Sequence, residues 1–181
     1  MEREHEESIY DEDLRHEEET RPPKVIDERL FGEPIRTLHM RSGAVTVDKG
    51  VTIAEAVRRM KEHRTGCVLV TERGTLAGIF TERDILTKLL GTVQDLTAVT
   101  VESVMTPDPE ALTLDDAVAY AMHRMSVGGF RHVPLVDAAR RPIGIISVKD
   151  VIDYLVEFFP GAVFNLPPKP GKDQARVPEG A

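Results

Sequence analysis

Gly78-Ile79-Phe80-Thr81-Glu82-Arg83-Asp84 and Gly144-Ile145-Ile146-Ser147-Val148-Lys149-Asp150 are one phrase written twice: glycine, two apolar residues, a hydroxyl, two further residues, then aspartate. Locally, Thr-x-x-Asp and Ser-x-x-Asp are helix capping boxes, in which hydroxyl and carboxylate each bond the other residue's backbone amide. Thr52-x-x-Glu55 and Thr113-x-x-Asp116 carry the same signature, so a box by itself marks a helix start and no ligand. A strand-to-helix turn has a second capacity, because its unpaired amides point outward where an anion can sit. The hydroxyl of Thr81 or Ser147 can add a bond to a phosphate, and Arg83 or Lys149 can balance its charge. An acidic residue in the first helical turn can accept the hydroxyls of a ribose. Capping and binding are compatible, since one aspartate has two oxygens.

Working outward, the two phrases sit inside a longer repeat. Met40 matches Met105, Ala56 matches Ala121 and Met60 matches Met125, at an offset of 65. After a one-residue shift, Leu69 matches Leu135, Val70 matches Val136, Gly78 matches Gly144 and Asp84 matches Asp150. The repeat unit of about 60 residues is too small to bury a good core alone, so the two copies are expected to pack together.

Each copy has the same pattern. A short strand is expected at Ala44–Val47 and at Glu110–Leu112. A helix follows over Thr52–His63, with Ile53, Ala56, Val57 and Met60 on one stripe, repeated by Val118, Ala121, Met122 and Met125. Two strands come next, Cys67–Val70 with Ala77–Phe80, and Val133–Val136 with Ile143–Ile146. Turns at Glu72-Arg73-Gly74 and Ala138–Arg141 join them. A last helix opens near Thr81 or Ser147 and carries Ile85, Leu86, Leu89 and Leu90, or Val151, Ile152, Leu155 and Val156. The expected fold is a mixed α/β (α+β) one, β-α-β-β-α twice. We divide the chain into a tail (1–36), a first unit (37–99), a second unit (100–160) and a proline-rich tail (161–181).

Charge sharpens the division. The chain of 181 residues has a net charge of −8, and residues 1–20 alone, with ten acidic and two basic side chains, account for all of it. The remainder is formally neutral and has no basic excess to drive nucleic-acid binding. The acidic stretch, poor in apolar residues, is expected to be disordered, either as a solubilising tail or as an interaction arm. At the other end, Pro160-Gly161 stops a helix, and Pro167-Pro168-Lys169-Pro170-Gly171 reads as extended. No stretch approaches a membrane span, and the start of the chain does not read as a secretion signal. The single cysteine, Cys67, lies in an apolar strand and reads as an inert buried thiol in a reducing compartment, the cytoplasm by default. The six histidines show no metal-ligand spacing, and no nucleophile–base pair is legible, so we expect no enzyme activity and no catalytic cofactor. His123 reads as a surface residue, and Gly128-Gly129 as a helix end.

Taken in order, the duplicated Gly-to-Asp phrase, Val104-Met105-Thr106-Pro107 and Phe130-Arg131-His132-Val133-Pro134-Leu135-Val136 resemble the CBS-domain pair, or Bateman module, over residues 37–159. The resemblance implies two units about a pseudo-twofold axis, with clefts between them that take AMP, ADP, ATP or S-adenosylmethionine. It implies that Asp84 and Asp150 hold ribose and that Thr81 and Ser147 lie near phosphate. Val45-Thr46 and Glu110-Ala111 would line the adenine pockets. It further implies a non-catalytic regulator, a homodimer that signals to a partner protein; the alternative is a ligand-free dimerisation or scaffold module. The copies differ before their second strands, where Arg131-His132 stands against Thr65-Gly66. A basic pair there suits phosphate, arginine best because of its planar fork. Asp150's cleft is therefore expected to bind phosphorylated ligands more tightly, unless Arg131 reaches across.

Overall fold

The computed structural model describes residues 29–40 and 43–158. The acidic residues 1–28 and the proline-rich end from 159 onward lie outside the described residues. A helical turn, α1 (Arg29–Gly32), and a 3-10 turn (Ile35–Thr37) precede β1 (Thr46–Asp48), α2 (Ile53–His63), β2 (Cys67–Glu72) and β3 (Thr75–Thr81). A short helix, α3 (Glu82–Asp84), runs on into a π-helical turn (Ile85–Leu89). The second copy supplies β4 (Thr106–Pro107), α4 (Val118–Gly128), β5 (His132–Val136), β6 (Pro142–Ser147) and α5 (Val148–Val156).

β1 runs parallel to β2, β2 antiparallel to β3, and β3 antiparallel to β4, whose Pro107 lies opposite Gly78. Arg73 and Gly74, both at positive φ, make the two-residue hairpin turn between β2 and β3, a geometry that matches strand twist. In the second copy β5 and β6 pair antiparallel. The strand expected at Glu110–Leu112 is reduced to one parallel bridge between Leu112 and Leu135. Pro107 and Pro109 lack amides, and Leu114 gives its carbonyl to Arg36, so no longer ladder can form there.

The apolar stripes of the helices are buried: Ile53, Ala56 and Met60 in the first copy, Val118 and Ala121 in the second. Thr52 caps α2 by accepting from the Glu55 amide, and Gly129, at φ 65°, ends α4. The first copy's last helix departs from expectation. Thr87 bonds back to the Arg83 carbonyl, and the Leu90 amide reaches the Ile85 carbonyl five residues earlier, which widens the helix into a π turn. Leu86 and Leu90 stand 66% and 74% exposed.

Chain order and core membership do not coincide. Ile35 and Leu38 sit in the second copy's core with Val118, Ala121, Val133, Leu135 and Ile146. Val101 sits in the first copy's core with Val47, Ile53, Val68 and Phe80. Matching hydrogen bonds hold both crossings: Ile35 N to Asp116 O and Val118 N to Glu33 O, against Ile53 N to Val99 O and Val101 N to Val51 O. Residues 29–36, assigned from sequence to the acidic tail, are therefore structured, because Ile35 supplies apolar area that the second copy lacks. A third cluster of Cys67, Leu69, Leu76, Ile79 and Val136, with Ala44, Ala111 and Ile145 against it, seals the seam between the copies. The copies pack together as expected.

Candidate functional site

Each Gly-to-Asp phrase ends a strand and opens a helix, and each closes a full capping box. Thr81 donates its amide (2.8 Å) and hydroxyl (2.7 Å) to Oδ2 of Asp84, and Ser147 does the same to Oδ2 of Asp150 (2.7 and 2.6 Å). The two carboxylates are buried, at 6% and 7% exposure. Oδ1 distinguishes them. Asp84 Oδ1 meets the Lys88 ammonium at 2.6 Å, whereas Asp150 Oδ1 has no hydrogen-bond partner among the described residues.

A cleft opens beside each carboxylate, and both copies contribute to both walls. The Asp84 cleft encloses about 430 Å³ and sets Thr81, Arg83 and Asp84 against Pro107, Glu110 and Phe130. The Asp150 cleft, about 880 Å³, sets Ser147, Lys149 and Asp150 against Val45, His63 and Arg64. Gly66, Glu82, Arg131 and His132 form a wall common to both. A Cβ at Gly66 would stand 3.4 Å from the Glu82 carboxylate and from the His132 ring, so the wall is closely packed there. The amide of Glu82 bonds the Gly66 carbonyl and the amide of Val148 bonds that of Arg131, so each helix start is tied to the strand beside it.

The structure thus brings ten of the twelve residues singled out from sequence to the cleft walls. Thr46 instead pairs with Leu69 in β1, and Ala111 packs on the seam; neither lines a cleft. Arg83 is partly committed, donating to the Gly129 carbonyl across the seam at 2.9 Å, and Lys149 pairs with Asp153. Arg131 reaches both clefts. Sequence reading missed His63, Arg64 and Asp108. Arg64 holds a left-handed conformation (φ 51°) as the cap of α2, the place that Gly129 (φ 65°) takes at the end of α4. An arginine where the other copy caps its helix with glycine was the available signal.

Charge divides the clefts. Glu82, Asp84, Asp108 and Glu110 face Arg83 and Arg131 in the first, four carboxylates against two cations. In the second, Glu82 and Asp150 face Arg64, Arg131 and Lys149, with the imidazoles of His63 and His132 beside them. Burial, and then the neighbouring Arg131, hold the His132 pKa below its ordinary value. Cys67 is fully buried in β2, and burial pushes its thiol up to about 12, which leaves it without nucleophilic character at neutral pH. No described helix is long and apolar enough to cross a membrane.

Comparison with known proteins finds the same duplicated unit. The family model for the CBS domain matches residues 35–91 and again 101–157. A CBS domain-containing protein of Arabidopsis thaliana is 31% identical over 126 residues, 69% of this chain and 23% of its own length. The chain therefore spans about a quarter of that relative. The crystal structure of a CBS-domain-containing protein from Agrobacterium tumefaciens superposes with a TM-score of 0.56 at 35% identity, covering 61% of this chain and 87% of that one. A CBS domain protein from Pyrobaculum aerophilum, solved complexed with AMP, shares the fold with a TM-score of 0.62 at 22% identity, covering 71% and 99%. With both copies of the phrase accounted for by the fold and by the family, the chain belongs to the CBS-domain family and carries the domain as a tandem pair.

Proposed function

We propose that this CBS pair is a regulatory module that binds an adenosine nucleotide beside Asp150 and passes a ligand-dependent change in the packing of its halves to a partner protein. The observation that carries the reading is the Asp150 cleft itself: a buried carboxylate with one uncommitted oxygen, opposite Arg64, Arg131 and Lys149. A ribose needs the first and a phosphate the second. AMP, ADP or ATP suit this charge better than the cationic S-adenosylmethionine, and the AMP complex of the Pyrobaculum aerophilum protein supports the same class. Because both copies wall the cleft, a ligand that fits one packing better than another shifts the balance between them. Exposed Leu86, Leu90, Tyr120 and Val127 support a homodimer as the assembled form, and a lone buried thiol fits the cytoplasm.

Thermal unfolding with AMP, ADP, ATP and S-adenosylmethionine tests the reading. A ligand at 100 times its dissociation constant adds about 2.7 kcal/mol, a rise of roughly 5–15 °C in midpoint for a module of this size. A midpoint indifferent to all four would leave a scaffold, whose clefts take nothing.

A further inference from the structure

The two clefts are built on one plan, and a single side chain breaks the equivalence of their ribose acceptors. In each copy Oδ2 of the aspartate already accepts two bonds from its own capping box. A carboxylate has about four acceptor positions in all, so Oδ1 is the oxygen left for a ligand. At Asp84 that oxygen is held by Lys88 at 2.6 Å. The same ammonium donates to the Val104 carbonyl at 2.7 Å, in the segment that leads to Thr106 and Pro107 on the opposite cleft wall. The corresponding position of the second copy is Tyr154, an uncharged ring buried edge-on against Phe158. Lys88 itself rides on the π turn, where the second copy has a regular helix.

We propose that Lys88 is an internal latch on the Asp84 cleft, occupying its ribose acceptor and tying it to the far wall, so that the protein takes adenosine compounds at the Asp150 cleft first. The latch rests on the adenosine-binding reading above. A ribose hydroxyl is a neutral donor and must displace a charge-assisted bond to reach Asp84. Without the ammonium, Oδ1 is a nearly buried acceptor in want of a donor, which a ribose supplies.

The test is isothermal titration of the full chain with adenosine, whose lack of phosphate removes the acidic walls of the Asp84 cleft from the comparison. The wild type is expected to take one equivalent, lost in Asp150→Ala. Lys88→Met is expected to add a second equivalent, lost in Asp84→Ala, with affinity at that cleft raised roughly tenfold, the factor that 1.4 kcal/mol represents. Lys88→Arg keeps the cation and should keep one equivalent. Lys88→Gln, which retains a donor for Val104, serves if the methionine variant does not fold. Two equal sites in the wild type, or a Lys88→Met protein that binds no better, overturns the latch and leaves the adenosine reading standing. Binding by Lys88→Met alone supports the latch and removes the reading of the Asp150 cleft. If no form binds, both fall.

Discussion

The backbone amide of Ile35 donates to the carbonyl of Asp116 at 2.9 Å, joining a residue at the very start of the first repeat to one inside the second. The Ile35 side chain is fully buried there beside Val118 and Val133. Its role is therefore to complete the core of the copy that follows it at a distance. Truncating it to alanine removes buried methylenes and leaves a cavity, a change that costs 2–5 kcal/mol in typical cores. We expect Ile35→Ala to lower stability by about that amount, read from the denaturant midpoint, and Val101→Ala to do the mirror-image damage in the first copy. A loss at Ile35 below about 1 kcal/mol would mean that the segment merely rests on the surface.

Gly78 and Gly144 occupy the same place in the repeat but not the same space. A Cβ at Gly78 would lie 2.3 Å from Sδ of Met105 and 3.0 Å from the Thr106 carbonyl, because the chain entering β4 runs close beside it, with Pro107 paired to Gly78. At Gly144 the nearest atom would be Cδ1 of Leu135 at 3.5 Å, an ordinary contact. Overpacking costs typically 1–3 kcal/mol, so Gly78→Ala should lower the thermal midpoint by several degrees, while Gly144→Ala stays near the wild type. Equal behaviour of the two variants would show that Met105 moves aside without cost.

These particulars mark where the sequence was readable. The offset repeat, the helical stripes and the capping phrases are local signals, and they place the two long central helices, the β2–β3 and β5–β6 hairpins and both helix starts, while the Glu110–Leu112 strand and the regular course of the first copy's last helix are lost. What escaped was set by partners distant in sequence. Nothing around Ile35 announces that Val118 lacks a neighbour. The π turn depends on the Thr87 hydroxyl outcompeting a regular helix. Arg64 reaches the Asp150 cleft only because the cap of α2 turns left-handed beside the other copy. The seam against which Ala111 packs likewise could not be read from the alternation around it.

The proposed phosphate site makes a prediction that separates charge from shape. Arg64→Met and Arg131→Met each remove a guanidinium from the Asp150 cleft while keeping an apolar stem. A hydrogen bond to a charged group contributes about 1.5–3 kcal/mol, so each variant should weaken AMP binding by about tenfold or more. Adenosine binding should change little. Asp150→Ala, by contrast, should weaken both ligands, and Asp84→Ala neither by much. Titration of the four variants against the two ligands checks the pattern; equal losses of AMP and adenosine in Arg64→Met would remove the arginine from the phosphate.

His132 gives the site a pH dependence whose sign follows from its surroundings. Its ring lies in the wall common to both clefts; Arg131 opposes its protonation, and Glu82 and Asp150 favour it. Burial outweighs the carboxylates, and the folded pKa lies below the ordinary 6.5. In the unliganded protein this contributes stability that is present above 6.5 and lost as pH falls through the folded value, since the unfolded chain takes the proton first. A phosphate dianion brought against the ring reverses the balance and raises its pKa, so binding at neutral pH takes up a proton. Affinity for AMP should therefore increase on acidification toward pH 6, with the uptake visible as a dependence of the titration heat on the buffer's ionisation enthalpy. Adenosine should show no uptake, and His132→Asn should abolish it for AMP. An AMP titration whose heat is the same in every buffer would place the phosphate elsewhere than beside His132.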